Sequence, residues 1–442
     1  MPTFDVSRVS ASDSVSSWLL ISFDQWRGDW LLQPWLQLPH LRSLVANGWL
    51  GSRCYTPSPQ CVPARASWLT GLRPSRLGLD RNRPFTMPPD APSFVRDLQE
   101  HGYVTSLVGK THWTPHHHGV ELRDNIPLLR ALGFDRAVEI AGPRALAEVS
   151  CALTDAWRDC GMLDCYREDL TARYANGRVD AVWPTVLPEA LYPDLWLGEQ
   201  ALKELAVLPD DMPWFLWVSF PGPHEPFDVP SSWRQSADQT PIPAPVPRPP
   251  EAEMLPVDCQ LSQLLRRWPD GFPPESLLLL RQDYANHLAL LDAQVGALLA
   301  ALQARPDGHR VAVTVISDHG ELLGDWGLML KGCFLEGAVR SLFIHQPPGG
   351  RRQDESPGSE RPIAATPALH SIARGVTSGA RLEALERLAG STGAVESEFA
   401  GERLQVRECQ RLLIDSSGRP YGYFDVRGVL HVIESRSSTT NS

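Results

Sequence analysis

A chain of 442 residues with 43% hydrophobic content can bury one large core and a smaller second unit. Its formal net charge is −11 and it has no basic tract, which argues against nucleic acid as a partner. The apolar runs WLLISF and VAVTVI are too short to span a bilayer. The first fifteen residues lack the basic, apolar and small-residue succession of a signal peptide. Eight cysteines, at 54, 61, 151, 160, 165, 259, 333 and 409, form neither a disulfide framework nor a CxxC zinc site. A cytoplasmic protein with no membrane or nucleic-acid contact is the expectation.

Short apolar runs read as buried strands at 17–23 (SWLLISF), 104–109 (VTSLVG), 214–220 (WFLWVSF), 310–317 (RVAVTVIS) and 341–345 (SLFIH). A strand-like piece, GWLGSRCY (48–55), precedes a helix-like run beginning in PQCVPARASWLTG. Helical periodicity fills 275–303. Strands alternating with helices predict an α/β fold on a large, mostly parallel central sheet flanked by helices. Residues 236–256 are rich in proline and read as an extended surface excursion. PPGGRRQDESPGSERP (347–362) has the texture of a linker or mobile loop. RLLIDSSGRPYGYFDVR (411–427) predicts a hairpin around its Ser-Ser-Gly-Arg-Pro turn. The expected organisation is a main α/β domain over 1–348, a linker over 349–362, and a small C-terminal α+β subdomain over 363–442. That subdomain is antiparallel, with helices drawn from the 366–392 region.

The chemistry collects where strands end. The first strand runs into Asp24 and Gln25, the second into Lys110 and His112, the third into His224, and the fourth into Asp318 and His319. In open α/β sheets that edge is where ligands bind. One Asp or His after a strand is ordinarily a turn residue or helix cap, but four coincident cases point to a site. Two carboxylates, an amide oxygen and an imidazole suit a divalent cation. Oxygen dominance favours Ca²⁺ or Mg²⁺, and the histidine leaves Mn²⁺ open.

Lysine occurs only at 110, 203 and 331 in this arginine-rich chain. A compact ammonium can be tuned for proton transfer where a guanidinium cannot. Cys61 stands at the entrance of a helix, with Pro63 suited to the first turn and Arg65 one turn on. A helix N-terminus adds partial positive charge. The arrangement reads as an anion pocket with a reactive group at its mouth. A buried structural cysteine and a thiolate nucleophile beside a histidine are the competing readings.

CVPAR (61–65) followed by ASWLTG resembles the maturation signature of the formylglycine-dependent sulfatases, in the alkaline phosphatase superfamily. LISFDQWRGD (20–29), GKTH (109–112), PHEPF (223–227) and SDHGELLGDWGLMLKG (317–332) resemble further blocks of that family, in order. The resemblance covers roughly residues 17–347 and implies an alkaline-phosphatase-like fold. It also implies that Cys61 is oxidised by a formylglycine-generating maturation enzyme and becomes the covalent nucleophile. Carried over, Asp24, Gln25, Cys61, Asp318 and His319 would hold one divalent metal, Ca²⁺ first, with Mn²⁺ or Mg²⁺ as alternatives. Arg65 would steady the hydrated aldehyde. Lys110 and Lys331 would bind sulfate oxygens, and Asn82 would lie near the ester. His224 with Lys331 would assist the leaving group, and His112 would deprotonate the second hydroxyl. The implied activity is hydrolysis of a small-molecule sulfate ester. Gln25 stands where many sulfatases carry a second aspartate, a pattern similar to the choline-sulfatase and phosphonate monoester hydrolase branches. A phosphonate monoester or phosphodiester hydrolase is therefore the first alternative. A catalytically silent metal- and anion-binding homologue is the second. Substrate and homo-oligomer formation stay open.

Overall fold

The computed structural model describes residues 15–234, 242–378, 394–408 and 410–433. The start of the chain on which the signal-peptide reading rests, part of the proline-rich stretch (236–241), residues 379–392, Cys409 and residues 434–442 lie outside the described residues.

Eight strands form the main sheet. They are β1 (Ser17–Phe23), β2 (Trp49–Gly51), β4 (Val104–Lys110), β5 (Arg136–Ile140), β6 (Trp214–Phe220), β7 (Val311–Ser317), β9 (Phe343–Gln346) and β10 (Gly358–Ser359). Their spatial order is β10-β2-β9-β7-β1-β6-β4-β5. The run from β7 to β5 is parallel throughout. β9 runs antiparallel to both β7 and β2, so one side of the sheet is mixed. A second, three-stranded sheet joins β3 (Cys54–Tyr55) to β8 (Arg340–Ser341) and β11 (Ile363–Ala364).

The continuous apolar strands are explained by burial on both faces. Alternate residues of β1 enter different cores. Leu19, Ile21 and Phe23 join one hydrophobic cluster, and Trp18 and Leu20 join the other. β6 does the same, with Leu216 and Val218 on one side and Phe215 and Trp217 on the other. The helices Pro39–Asn47, Pro193–Val207 and Pro274–Gln303 cover the first face. The last of these is the one described helix long and apolar enough to cross a membrane. Its Leu280, Leu288, Leu291, Val295 and Leu298 are buried in this core.

The structure differs from the expected organisation after residue 348. Within the expected linker, β10 pairs with β2, and directly beyond it β11 pairs with β3. The helix Ala365–Ser378, expected with the C-terminal unit, buries Leu369, Ile372 and Val376 in the same cluster as Trp18, Trp68 and Phe94. Its apolar stripe finds a large aromatic surface there, which a small five-stranded sheet does not offer. That C-terminal sheet is an antiparallel meander of β12 (Val395–Phe399), β13 (Glu402–Val406), β14 (Arg411–Ile414), β15 (Pro420–Phe424) and β16 (Leu430–Val432). The expected hairpin is β14–β15, and Asp415 Oδ1 accepts from the backbone N–H groups of Ser417 and Arg419 in its turn. β12 also grips the main domain. Glu398 N donates to Pro57 O at 2.8 Å, Ala400 N to Asp80 O at 2.8 Å, and Ser75 N to Glu398 Oε2 at 2.7 Å. These contacts bracket the helix Cys61–Thr70.

β4 and β6 approach closely where they deliver their site residues. A Cβ on Gly109, whose φ is +126°, would lie 2.0 Å from Ser219 O. Gly109→Ala is expected to cost at least about 3 kcal/mol through backbone strain and overlap. Urea denaturation checks this by a lower midpoint at unchanged slope.

Candidate active site

The C-terminal ends of β7, β1, β6 and β4, four adjacent parallel strands, converge on the N-terminus of the helix Cys61–Thr70. All ten residues of that helix are buried. Asn82 Oδ1 accepts from Val62 N at 2.9 Å, so a side chain from outside the helix satisfies a first-turn N–H. Gln25 and His112 take left-handed backbone (φ 69° and 62°), a conformation uncommon outside glycine. Each sits directly beyond a strand end, where the chain must turn sharply.

Asp24, Cys61, Asp318 and His319 each bring one donor atom into a group whose members all lie within 4.8 Å of one another. Cys61 Sγ is 3.2 Å from His319 Nε2 and 3.5 Å from Asp24 Oδ1. His319 Nδ1 lies 3.0 Å from Gly320 O. That contact assigns the N–H to Nδ1 and leaves the Nε2 lone pair facing the cluster. Two carboxylates, one sulfur and one imidazole nitrogen, all fully buried, fit a divalent cation as a donor set. Gln25 Oε1 adds an amide oxygen on the Lys331 side.

Three cations surround the same group. Arg65 Nε donates to Asp318 Oδ2 at 2.7 Å, and its Nη1 donates to Lys110 O and Ser219 Oγ. Lys110 Nζ pairs with Asp24 Oδ2. Lys331 Nζ is 3.2 Å from Cys61 Sγ. A Cβ on Gly142 would sit 2.9 Å from Lys110 Nζ, so glycine there leaves the ammonium its room. Burial and Cys61 push the Asp24 carboxyl up, but Lys110, His224 and Lys331 hold it well below the usual carboxylate range. Burial likewise opposes the Cys61 thiolate, and Lys110, Lys331 and His319 outweigh it, so the thiol is pulled well down. Burial lowers His319, but Asp318 and Cys61 together raise it, so it ends above the usual imidazole value.

His112 feels the charge of Cys61, and burial with Lys110 keeps its imidazole below the ordinary value. His224 Nδ1 lies 2.8 Å from Glu225 O and 3.2 Å from Glu225 Oε2. The expected residues Asp24, Gln25, Cys61, Arg65, Lys110, His112, Asp318, His319 and Lys331 are thus brought together directly. His224 reaches them through Glu225, whose Oε2 accepts from Gln25 Nε2. Asn82 is exposed, and its recorded side-chain contact is the helix N–H.

Four further residues, which the sequence reading did not assign to the site, stand in it. Glu225 and Glu321 both accept from Gln25 Nε2, at 2.9 Å and 2.5 Å. Burial and Glu225 push the Glu321 carboxyl up to about 7. Arg144 lies half-exposed with Nε 3.5 Å from Glu225 Oε1. His116 stacks on His112 with ring centroids 4.9 Å apart, although His117 and His118 are exposed. Glu225 and Glu321 stood inside motif blocks, but their partner Gln25 is some 200 to 300 residues away and no local spacing reveals the pairing. Trp113 packs in the core against Trp217, and Trp326 packs against Phe424 of the C-terminal sheet. Cys54 and Cys333 are buried free thiols.

A family model described as Sulfatase matches residues 17–371. Choline-sulfatase of Rhizobium meliloti (strain 1021) is 26% identical over 329 residues, covering 71% of this chain and 58% of that protein. Arylsulfatase of Clostridium perfringens (strain 13 / Type A) is 25% identical over 359 residues, covering 75% of this chain and 68% of that protein. The chain therefore spans less than two thirds of the length of that choline-sulfatase. Among solved structures, phosphonate monoester hydrolase of Agrobacterium radiobacter superposes with a TM-score of 0.67 at 20% identity, covering 93% of this chain and 89% of that one. At that identity the likeness concerns the fold.

Removing the buried guanidinium would leave Asp318 uncompensated. Arg65→Ala is expected to lose about 3–5 kcal/mol of stability, read as a lowered denaturation midpoint. An unchanged midpoint would show that the ion pair does not hold the site together.

Proposed function

The chain belongs to the sulfatase family, and on that premise we propose that it is a metal-dependent hydrolase of small-molecule sulfate esters, with formylglycine formed from Cys61 as nucleophile. The observation that carries this is the position of Cys61. Its Sγ lies within one cluster of metal-type donors, beside two ammonium groups, at a helix N-terminus. Such a site suits the singly charged sulfate group of an ester as it passes to a covalent intermediate.

Asp24, Asp318, His319 and Gln25 would hold the cation, Ca²⁺ first, which would supply charge to acidify the attacking hydroxyl and neutralise sulfate oxygens. The hydrated aldehyde supplies one hydroxyl for attack and a second whose deprotonation expels sulfate. The protein's own groups do the rest. Lys110 and Lys331 flank position 61 and bind sulfate oxygens. His112, held below its ordinary value by burial and Lys110, serves as the base for the second hydroxyl of residue 61. His224, held through Nδ1 by the Glu225 carbonyl, assists the departing oxygen together with Lys331.

A phosphonate monoester or phosphodiester hydrolase with the same machinery is the second reading. Gln25 favours it by leaving the donor set with one carboxylate fewer than a second aspartate would give. The two readings separate by turnover of an aryl sulfate against an aryl phosphonate monoester. A faster sulfate is expected, and a dominant phosphonate rate would reverse the order of the two readings. Mass spectrometry of the peptide containing residue 61, from the native host, is expected to show the aldehyde, its hydrate or both. Unmodified cysteine alone would end the formylglycine assignment. Cys61→Ser is expected to fold and bind the cation while turnover falls by at least about a thousandfold. A chelator should abolish wild-type turnover, and added divalent cation should restore it.

A further inference from the structure

The side chain of Gln25 is held at both ends by charge. Its Nε2 donates to Glu225 Oε2 at 2.9 Å and to Glu321 Oε2 at 2.5 Å. Its Oε1 accepts from Lys331 Nζ at 2.5 Å, and that ammonium is 3.2 Å from Cys61 Sγ. The backbone is held as well, with Gln25 N donating to Asp318 Oδ1 and Gln25 O accepting from the Tyr284 hydroxyl. The two ends of a carboxamide differ chemically, one offering two donors and the other only lone pairs. Flipping this one would set its oxygen against two carboxylates and its NH₂ against an ammonium. The carboxylates are themselves tethered. Glu321 Oε1 accepts from Leu323 N at 3.1 Å and Leu330 N at 2.5 Å. Glu225 Oε1 faces Arg144. Around the oxygens of Glu321 these partners are all donors.

We propose that Glu225 and Glu321 are positioning residues that lock the Gln25 carboxamide, its oxygen turned to the cation cluster and Lys331 and its nitrogen turned away. This rests on the metal-dependent reading above. The lock also accounts for an amide at position 25. A carboxylate there would be the third acid in contact, in a region where Gln25, Glu225 and Glu321 are each at most 1% exposed. The neutral side chain and the two glutamates form a matched set. Together they present a fixed neutral oxygen that costs the cation site no further charge.

The test uses the asymmetry of Glu321→Gln. A glutamine there has one oxygen, and the N–H groups of Leu323 and Leu330 claim it. Its NH₂ then meets Gln25 Nε2 in place of an acceptor, so on that side the amide is held by Glu225 alone and its oxygen is no longer firmly fixed toward the cation. Titration of Ca²⁺ and Mn²⁺ into metal-free protein by calorimetry is expected to show affinity reduced at least tenfold in E321Q. Adding Gln25→Glu to E321Q should recover most of the loss. The introduced carboxylate accepts from the introduced amide and keeps an oxygen on the cation side. Wild-type affinity in E321Q overturns the lock, and so does an absence of recovery in the double variant. Hydrogen bonding that served only the fold would lower the melting temperature without moving cation affinity, and that pattern also overturns it. If E321Q does not fold, E225Q carries the same test, because the outward oxygen of Glu225 faces Arg144. Wild-type protein that binds neither cation brings down the metal-dependent reading and the lock with it, an outcome distinct from failure of the lock alone.

Discussion

The Arg65 guanidinium is the constraint on which the rest of the site depends. It is 1% exposed and rises from the helix Cys61–Thr70. It meets Asp318 beyond β7, the Lys110 carbonyl at the end of β4, and the Ser219 hydroxyl within β6. One cation thus ties three strand ends to the helix that carries residue 61. A charge buried this deeply is tolerated only when paired and hydrogen-bonded. The strand ends therefore cannot drift apart without leaving unpaired charge in the interior.

The same accounting extends outward. Asp24 is answered by Lys110, Glu225 by Arg144 and the Gln25 amide, and Asp318 by Arg65 and two backbone N–H groups. The site is a lattice of opposite charges whose geometry is fixed by the sheet below it. Left-handed backbone at Gln25 and His112 adds strain that a rigid scaffold can hold. If an anion binds here, as proposed, its counter-charges are already in place when it arrives.

Much of this was legible in the sequence. The apolar strands and the residues following them foretold the parallel sheet and its functional edge, because a strand buried on both faces writes itself as an unbroken apolar run. Cys61, Arg65, Lys110, Asp318 and His319 stood out because chemistry of that kind is rare beside such runs. The tethers of Gln25 did not stand out. Glu321 reads as an ordinary loop acid until the fold carries it to the end of β1. The helix Ala365–Ser378 was misplaced for a related reason. Its pattern announces a buried face but not which partner buries it, and Trp68 and Phe94, some 300 residues earlier, supply that surface. Long-range pairing of polar side chains, and the choice between two apolar partners, are decided by topology.

The grip of β12 on the main domain has a consequence in time. Pro57 and Asp80 stand on either side of residue 61, and they receive their partners, Glu398 and Ala400, from a strand made far later in synthesis. Until that strand exists, the carbonyls it pairs with remain open to solvent and the segment between them lacks its final clamp. Position 61 thus spends an interval of the chain's history more accessible than it will ever be again. On the proposed reading, a modification that takes hold of the CVPAR peptide would belong to that interval, and the rate at which the last strands arrive would set how much of the protein is matured.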